Sequence, residues 1–179
     1  LLGVFSADWV VVANSFYLAG YFLSGATAYI VLRRLGVTSA LAIAGALLFA
    51  ILPYHWLRRG HLLLAPYMVV PLGIWLAFLA WRPAPQVRSK RNVLGRALLV
   101  ILVGSGGVYY AFFSAFLVVI SSTCRALRSN SLRQGLPGFI CAAAIAMVVV
   151  LNVAPSIQYR LANGPNPEAI IRHASESEL

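Results

Sequence analysis

The residues best suited to chemistry sit in "PYHWLRRGHLLLAPY", residues 53 to 67, an odd passage for a chain in which only 10% of residues are charged. Arg58 and Arg59 are adjacent there, with His55 and His61 on either side and Pro53 and Pro66 bounding the stretch. A guanidinium binds phosphate oxygens in pairs and keeps its charge at a membrane surface, so the arginines suit a lipid phosphate or pyrophosphate. If the segment is helical, His55 and Arg59 share one face and Arg58 and His61 share another, so each histidine stands beside a candidate phosphate-binding arginine. As metal ligands, two imidazoles with no neighbouring carboxylate make an incomplete set. The plainer account is that the arginines snorkel to headgroups while Tyr54 and Trp56 join an aromatic belt.

A second candidate is Asp8, just before the first apolar run in "SADWVVVAN". Its carboxylate could act as a general base or metal ligand, and it could equally cap the helix that follows. "GGVYYAFFSAF" puts Tyr109 and Tyr110 at the start of a span, where they could stack on a sugar or lipid headgroup or belong to the aromatic belt. Asn14, Tyr17 and Tyr21 form a polar stripe at helical spacing, suited to a cavity or to interhelical hydrogen bonds. Cys124 and Cys141 lack the CxxC spacing of a redox or metal site and read as small packing residues. Near the C-terminus Asn166, Pro167 and Glu168 predict the start of a surface helix, with Glu168, Arg172 and Glu176 spaced for exposed ion pairs. No residue set selects a cofactor: a divalent metal stays open.

What must position these groups is a scaffold that spans a bilayer. Of 179 residues 61% are hydrophobic, and the mean hydropathy is +0.85. Such a chain has too little polar surface to cover a water-soluble globule. A helix rises about 1.5 Å per residue and the hydrocarbon is about 30 Å thick, so spans of roughly 20 residues are needed, or shorter ones in a crowded bundle. Six apolar runs fit, at about 10–32, 38–53, 62–81, 92–106, 107–124 and 138–154. They predict an all-α, polytopic transmembrane bundle over 1–154, with 155–179 as the start of an outer extramembranous segment. The chain begins without methionine and ends in "HASESEL", so it is expected to be part of something longer. Gly20, Ser24, Gly25 and Tyr29 in the first span, and Ala42, Ala46 and Ala50 in the second, read as faces for close helix packing.

Charge settles the order of sides. Breaking 93–123 into two short spans at "GSGGVYY" places "WRPAPQVRSKRN" and "CRALRSNSLRQG" on one side, whereas a single span would separate them. That side then carries Arg33, Arg34, Arg82, Arg88, Lys90, Arg91, Arg96, Arg125, Arg128 and Arg133 and no acid, which marks it as cytoplasmic. The other side receives Arg58, Arg59, Arg160 and Arg172 with all four acids and all three histidines. The net charge of +10 is thereby assigned to topology rather than to nucleic acid. Acid–base chemistry is expected on the outer face, of a bacterial inner membrane.

The order "NSFYLAGYFLSGATAYIVLRRLG", "LLFAILPYHWLRRGH", "LLLAPYMVVPLGIWL", then two short helices meeting at "GGVYYAFFSAF", resembles the middle of GT-C superfamily membrane glycosyltransferases, the protein O-mannosyltransferases and aminoarabinose transferases among them. The resemblance covers residues 8 to 154. It implies transfer of a sugar from a polyprenyl-phosphate donor to an acceptor on the outer face. It also implies donor-phosphate binding by Arg58 and Arg59, and a catalytic acid that is either Asp8 or upstream of Leu1. A flippase or transporter of lipid-linked sugars would use the same basic surface without a catalytic acid, and a non-catalytic membrane subunit would need neither. No internal repeat and no mid-span charge favours transport.

Overall fold

A computed structural model of the chain describes residues 8–53, 67–82 and 89–164. Among the described residues the regular structure is entirely helical: α1 (Trp9–Arg34), α2 (Ser39–Ala50), α3 (Val69–Trp81), α4 (Lys90–Ser105), α5 (Val108–Arg128) and α6 (Leu132–Asn163).

Each boundary has a local cause. Asp8 begins α1 by accepting a hydrogen bond from the Val10 amide at 2.9 Å, satisfying one of the free donors of the first turn. Arg33 and Arg34 close the helix, where cations meet the negative end of its dipole. Between α4 and α5 the chain breaks at Gly106 and Gly107, as the two-span reading requires. Gly107 has φ +106° and ψ +147°, a conformation essentially reserved for glycine. α6 runs unbroken through Pro137 and Pro155, each of which leaves one helix carbonyl without its amide partner.

Contacts between helices give their directions. A Cβ on Gly25 would lie 3.5 Å from Ala50, and one on Gly45 3.0 Å from Leu32, so α1 and α2 are antiparallel. Tyr67, at the head of α3, donates its hydroxyl to the Ala50 carbonyl at 2.7 Å and packs edge-on against Phe49, tying the end of α2 to the start of α3. Gly73 meets Ser114, and Arg82 meets Arg125, so α3 and α5 run the same way. Gly104 against Val148 and Arg96 beside Cys141 make α4 and α6 parallel to each other. Gly138 against Ser122 makes α6 antiparallel to α5.

The core lies among α3 to α6, where Leu76, Ala80, Val103, Ala111, Val118, Ala142 and Ile145 pack together. Alanines share it with branched side chains, and the closest helix approaches are at glycine and serine. A Cβ on Gly73 or Gly138 would collide with Ser114 or Ser122, so these backbones approach closely. Of the predicted packing faces, Ser24, Ala42, Ala46 and Ala50 are buried, while Gly20, Gly25 and Tyr29 are half-buried. Meanwhile Leu18, Phe22, Leu48, Leu94 and Leu161 face outward. Bulky apolar groups outside and small residues at the closest helix contacts are the arrangement expected when lipid is the solvent. Three helices, α1, α5 and α6, are long and apolar enough to cross a membrane.

The span lengths differ from the sequence reading. The second span was expected at 38–53, but α2 has 12 residues, about 18 Å. The sixth was expected at 138–154, but α6 has 32 residues, about 48 Å. Hydropathy marks where lipid suits the side chains, whereas backbone hydrogen bonding carries α6 on into polar sequence at both ends. Helix therefore continues past residue 154 to Asn163. The third helix is described from Val69, and residues 62–66 of that span lie outside the described residues.

Candidate functional site

With the helix directions fixed, the charges separate cleanly. Arg33, Arg34, Arg82, Lys90, Arg91, Arg96, Arg125, Arg128 and Arg133 all belong to one end of the bundle, the end of α1, α3 and α5 and the start of α4 and α6. Of the described basic residues only Arg160 belongs to the other. The grouping that the two-span reading required is thus present, apart from Arg88, which lies outside the described residues.

At the opposite end the predicted site is only partly in view. Arg58, Arg59, His55 and His61 lie outside the described residues, as do Asn166, Pro167, Glu168, Arg172 and Glu176. The connection bearing the two arginines leaves α2 and returns to Tyr67 at this end, where the Tyr67 hydroxyl bonds to Ala50. Tyr109 is exposed and Tyr110 half-buried, beside the Gly106–Gly107 break. Asn152 donates to Ser105 Oγ at 3.2 Å from α6, and α6 continues about 16 Å beyond that contact. Asp8 is remote from this group along α1. Ser24, beside the Tyr67 hydroxyl, marks the level of the α3 start, and sixteen residues of helix separate it from Asp8, about 24 Å. The Asp8 carboxylate is engaged as a helix cap, the plainer of its two expected roles. Tyr17 and Tyr21 are half-buried in α1, and Asn14 is exposed.

Among the described residues no group of three or more His, Cys, Asp or Glu side chains is placed to hold a metal ion. The cysteines differ from each other. Cys141 packs against the core, as expected of a small packing residue. Cys124 is exposed, because its position on α5 falls outside the buried stripe of Ala111, Ser114, Val118 and Ser122.

That same stripe continues to Arg125, the residue that charge counting alone does not single out. Arg125 is 8% exposed. Its Nη1 donates to the Arg82 carbonyl at 2.6 Å and to the Ala80 carbonyl at 3.5 Å, and its Nη2 donates to Gln134 Oε1 at 2.5 Å. One guanidinium therefore caps the end of α3 and links it to the first turn of α6. Around it the arginines lie on aromatic faces, Arg82 at 4.3 Å from Phe78 and Arg128 at 5.9 Å from Trp81. Trp81, Arg125, Arg128, Ser129 and Gln134 line a cleft of about 460 Å³. The sequence signal was the small-residue periodicity of α5, which places Arg125 on its inward face.

Residues 10–164 match the family described as Domain of unknown function (DUF6311). Neither a curated protein nor a solved structure matches the chain.

Proposed function

The chain belongs to the DUF6311 family, and we propose that it forms the membrane-embedded part of a glycosyltransferase that draws sugar from a polyprenyl-phosphate donor. Catalysis is assigned to the end of the bundle away from the basic cluster. The observation that carries this reading is the segregation of charge, with nine of the ten described cations at one end. By the positive-inside rule the basic end faces the cytoplasm, of a bacterial inner membrane, so the connection bearing Arg58 and Arg59 returns on the outer side.

There the two guanidiniums would hold the donor phosphate. As the bond between sugar C1 and phosphate oxygen breaks, negative charge grows on the leaving phosphate, and fixed arginines stabilise it more than they stabilise the intact donor. His55 and His61 flank the arginine pair in the sequence, and Tyr109 and Tyr110 offer aromatic faces and hydroxyls to a sugar or lipid headgroup. The acceptor attacks C1 and its proton passes to a base. Asp8 is the described carboxylate available for that role, though its capping bond and its place far along α1 favour a base elsewhere in the full protein.

The test is transfer by the full-length protein in membranes, supplied with a panel of polyprenyl-phosphate sugars. Wild type should transfer from at least one donor, and Arg58→Ala or Arg59→Ala should lower the rate at least tenfold, about 1.4 kcal/mol of transition-state stabilisation. Unchanged rates in both variants would remove the phosphate-holding role. Absence of transfer with every donor would remove the enzyme reading in favour of a flippase or a non-catalytic subunit.

A further inference from the structure

The basic end holds an excess of charge that no acid among the described residues balances. Arg125 is buried, yet its three hydrogen bonds all go to neutral oxygens, from Ala80, Arg82 and Gln134. These satisfy the donors without cancelling the charge, and burial of an uncompensated cation is costly. Arg96 and Arg125 both line a second, smaller cavity. Arg128 rests against Trp81 and makes no hydrogen bond among the described residues. No described acid belongs to this end. Three arginines are among the residues lining two cavities that have Arg125 in common, a setting suited to an anion.

We propose that the cleft between the end of α3, the end of α5 and the start of α6 binds the phosphate headgroup of an anionic membrane lipid. Its volume of about 460 Å³ falls in the about 300–1,000 Å³ range of small-molecule sites. Arg128 and the remaining N–H groups of Arg125 supply the phosphate contacts, and the Ser129 hydroxyl is turned to its own helix, 2.9 Å from the Arg125 carbonyl. A lipid rather than free phosphate is favoured by what surrounds the cleft. Leu127, Leu132 and Leu136, next to the cleft residues in the chain, are all more than half exposed, and Trp81 is exposed at its mouth. A diacyl lipid places its phosphate on the arginines and its chains against those leucines. Basic pockets between spanning helices at the cytoplasmic surface recognise anionic headgroups in this way. The site lies at the end opposite the proposed sugar transfer and stands independently of it.

The experiment titrates the purified chain in detergent with phosphatidylglycerol, with phosphatidylcholine of the same acyl chains, and with inorganic phosphate. Binding is followed by native mass spectrometry and by the thermal midpoint. Phosphatidylglycerol should bind and raise the midpoint, phosphatidylcholine and phosphate at equal concentration should not. Arg128→Gln should weaken phosphatidylglycerol about fivefold, Arg128→Lys should restore most of the affinity, and Arg160→Gln at the far end should leave it unchanged. Equal binding of phosphatidylcholine, an equal effect of phosphate alone, or wild-type affinity in Arg128→Gln would each overturn the proposal.

Discussion

Arg125 shows how much one side chain can hold in a bundle built from small residues. Its guanidinium fork reaches two carbonyls at the end of α3 and an amide on α6 at once, a geometry that a lysine ammonium cannot reproduce. Arg125→Ala should destabilise the protein by about 2–3 kcal/mol, since buried carbonyls lose a charged donor. Arg125→Lys should recover only part of that loss, measured by thermal unfolding in detergent. The residue was visible in the sequence only as one of ten charges assigned to the basic side. Counting charges by side says which end a residue belongs to and nothing of its depth. The spacing of Ala111, Ser114, Val118 and Ser122 contained the missing information, because it sets the inward face of α5. Asp8 was more legible: an aspartate immediately before an apolar run is positioned to cap it, and it does.

At the scale of the elements, the order and type of the helices followed from apolar run length, and the break between α4 and α5 followed from glycines and charge. The break rests on Gly107, whose backbone conformation a Cβ would strain. Gly107→Ala should therefore cost about 1–3 kcal/mol, read as a lower thermal midpoint. An unchanged midpoint would mean that the turn relaxes into another conformation. Helix lengths were less legible. α2 is too short to cross about 30 Å of hydrocarbon alone, and it lies antiparallel to the longer α1, with Ala46 and Ala50 set close against Gly25. α6 overruns its apolar segment at both ends, where hydropathy gives no signal but helix propensity and hydrogen bonding persist.

For the whole molecule, the consequence of alternating helix directions is a bundle with chemically unlike ends. Its sidedness can be measured with single cysteines in the full-length protein, after Cys124 and Cys141 are replaced by alanine. A membrane-impermeant maleimide applied to intact cells should label Asn163→Cys, and should reach Ser129→Cys only after permeabilisation. Labelling in the reverse order would invert the orientation and move the proposed catalytic end into the cytoplasm. The sequence made this polarity readable because the basic stretches around Arg33, 82–96 and 125–133 all fall at the same phase of the up-and-down chain, with Arg58 and Arg59 the exception. The chemistry at the other end was less readable, since Arg58, Arg59, His55 and His61 fall between the apolar runs, where hydropathy gives no periodic pattern from which neighbours can be inferred.

The overlong α6 adds a mechanical property to that polarity. Asn152 moors the helix to Ser105, and Pro155, one turn further on, interrupts its hydrogen-bond ladder. The turns from Pro155 to Asn163 form a lever arm of about 12 Å, pivoted where the bundle lets go of it. A bend of about 10° at that pivot moves the tip by about 2 Å, as follows from the rise of the helix. Whatever the rest of the protein attaches beyond Asn163 is thus joined to the spanning helices through a boom. A small change of angle at its base is delivered there as a displacement.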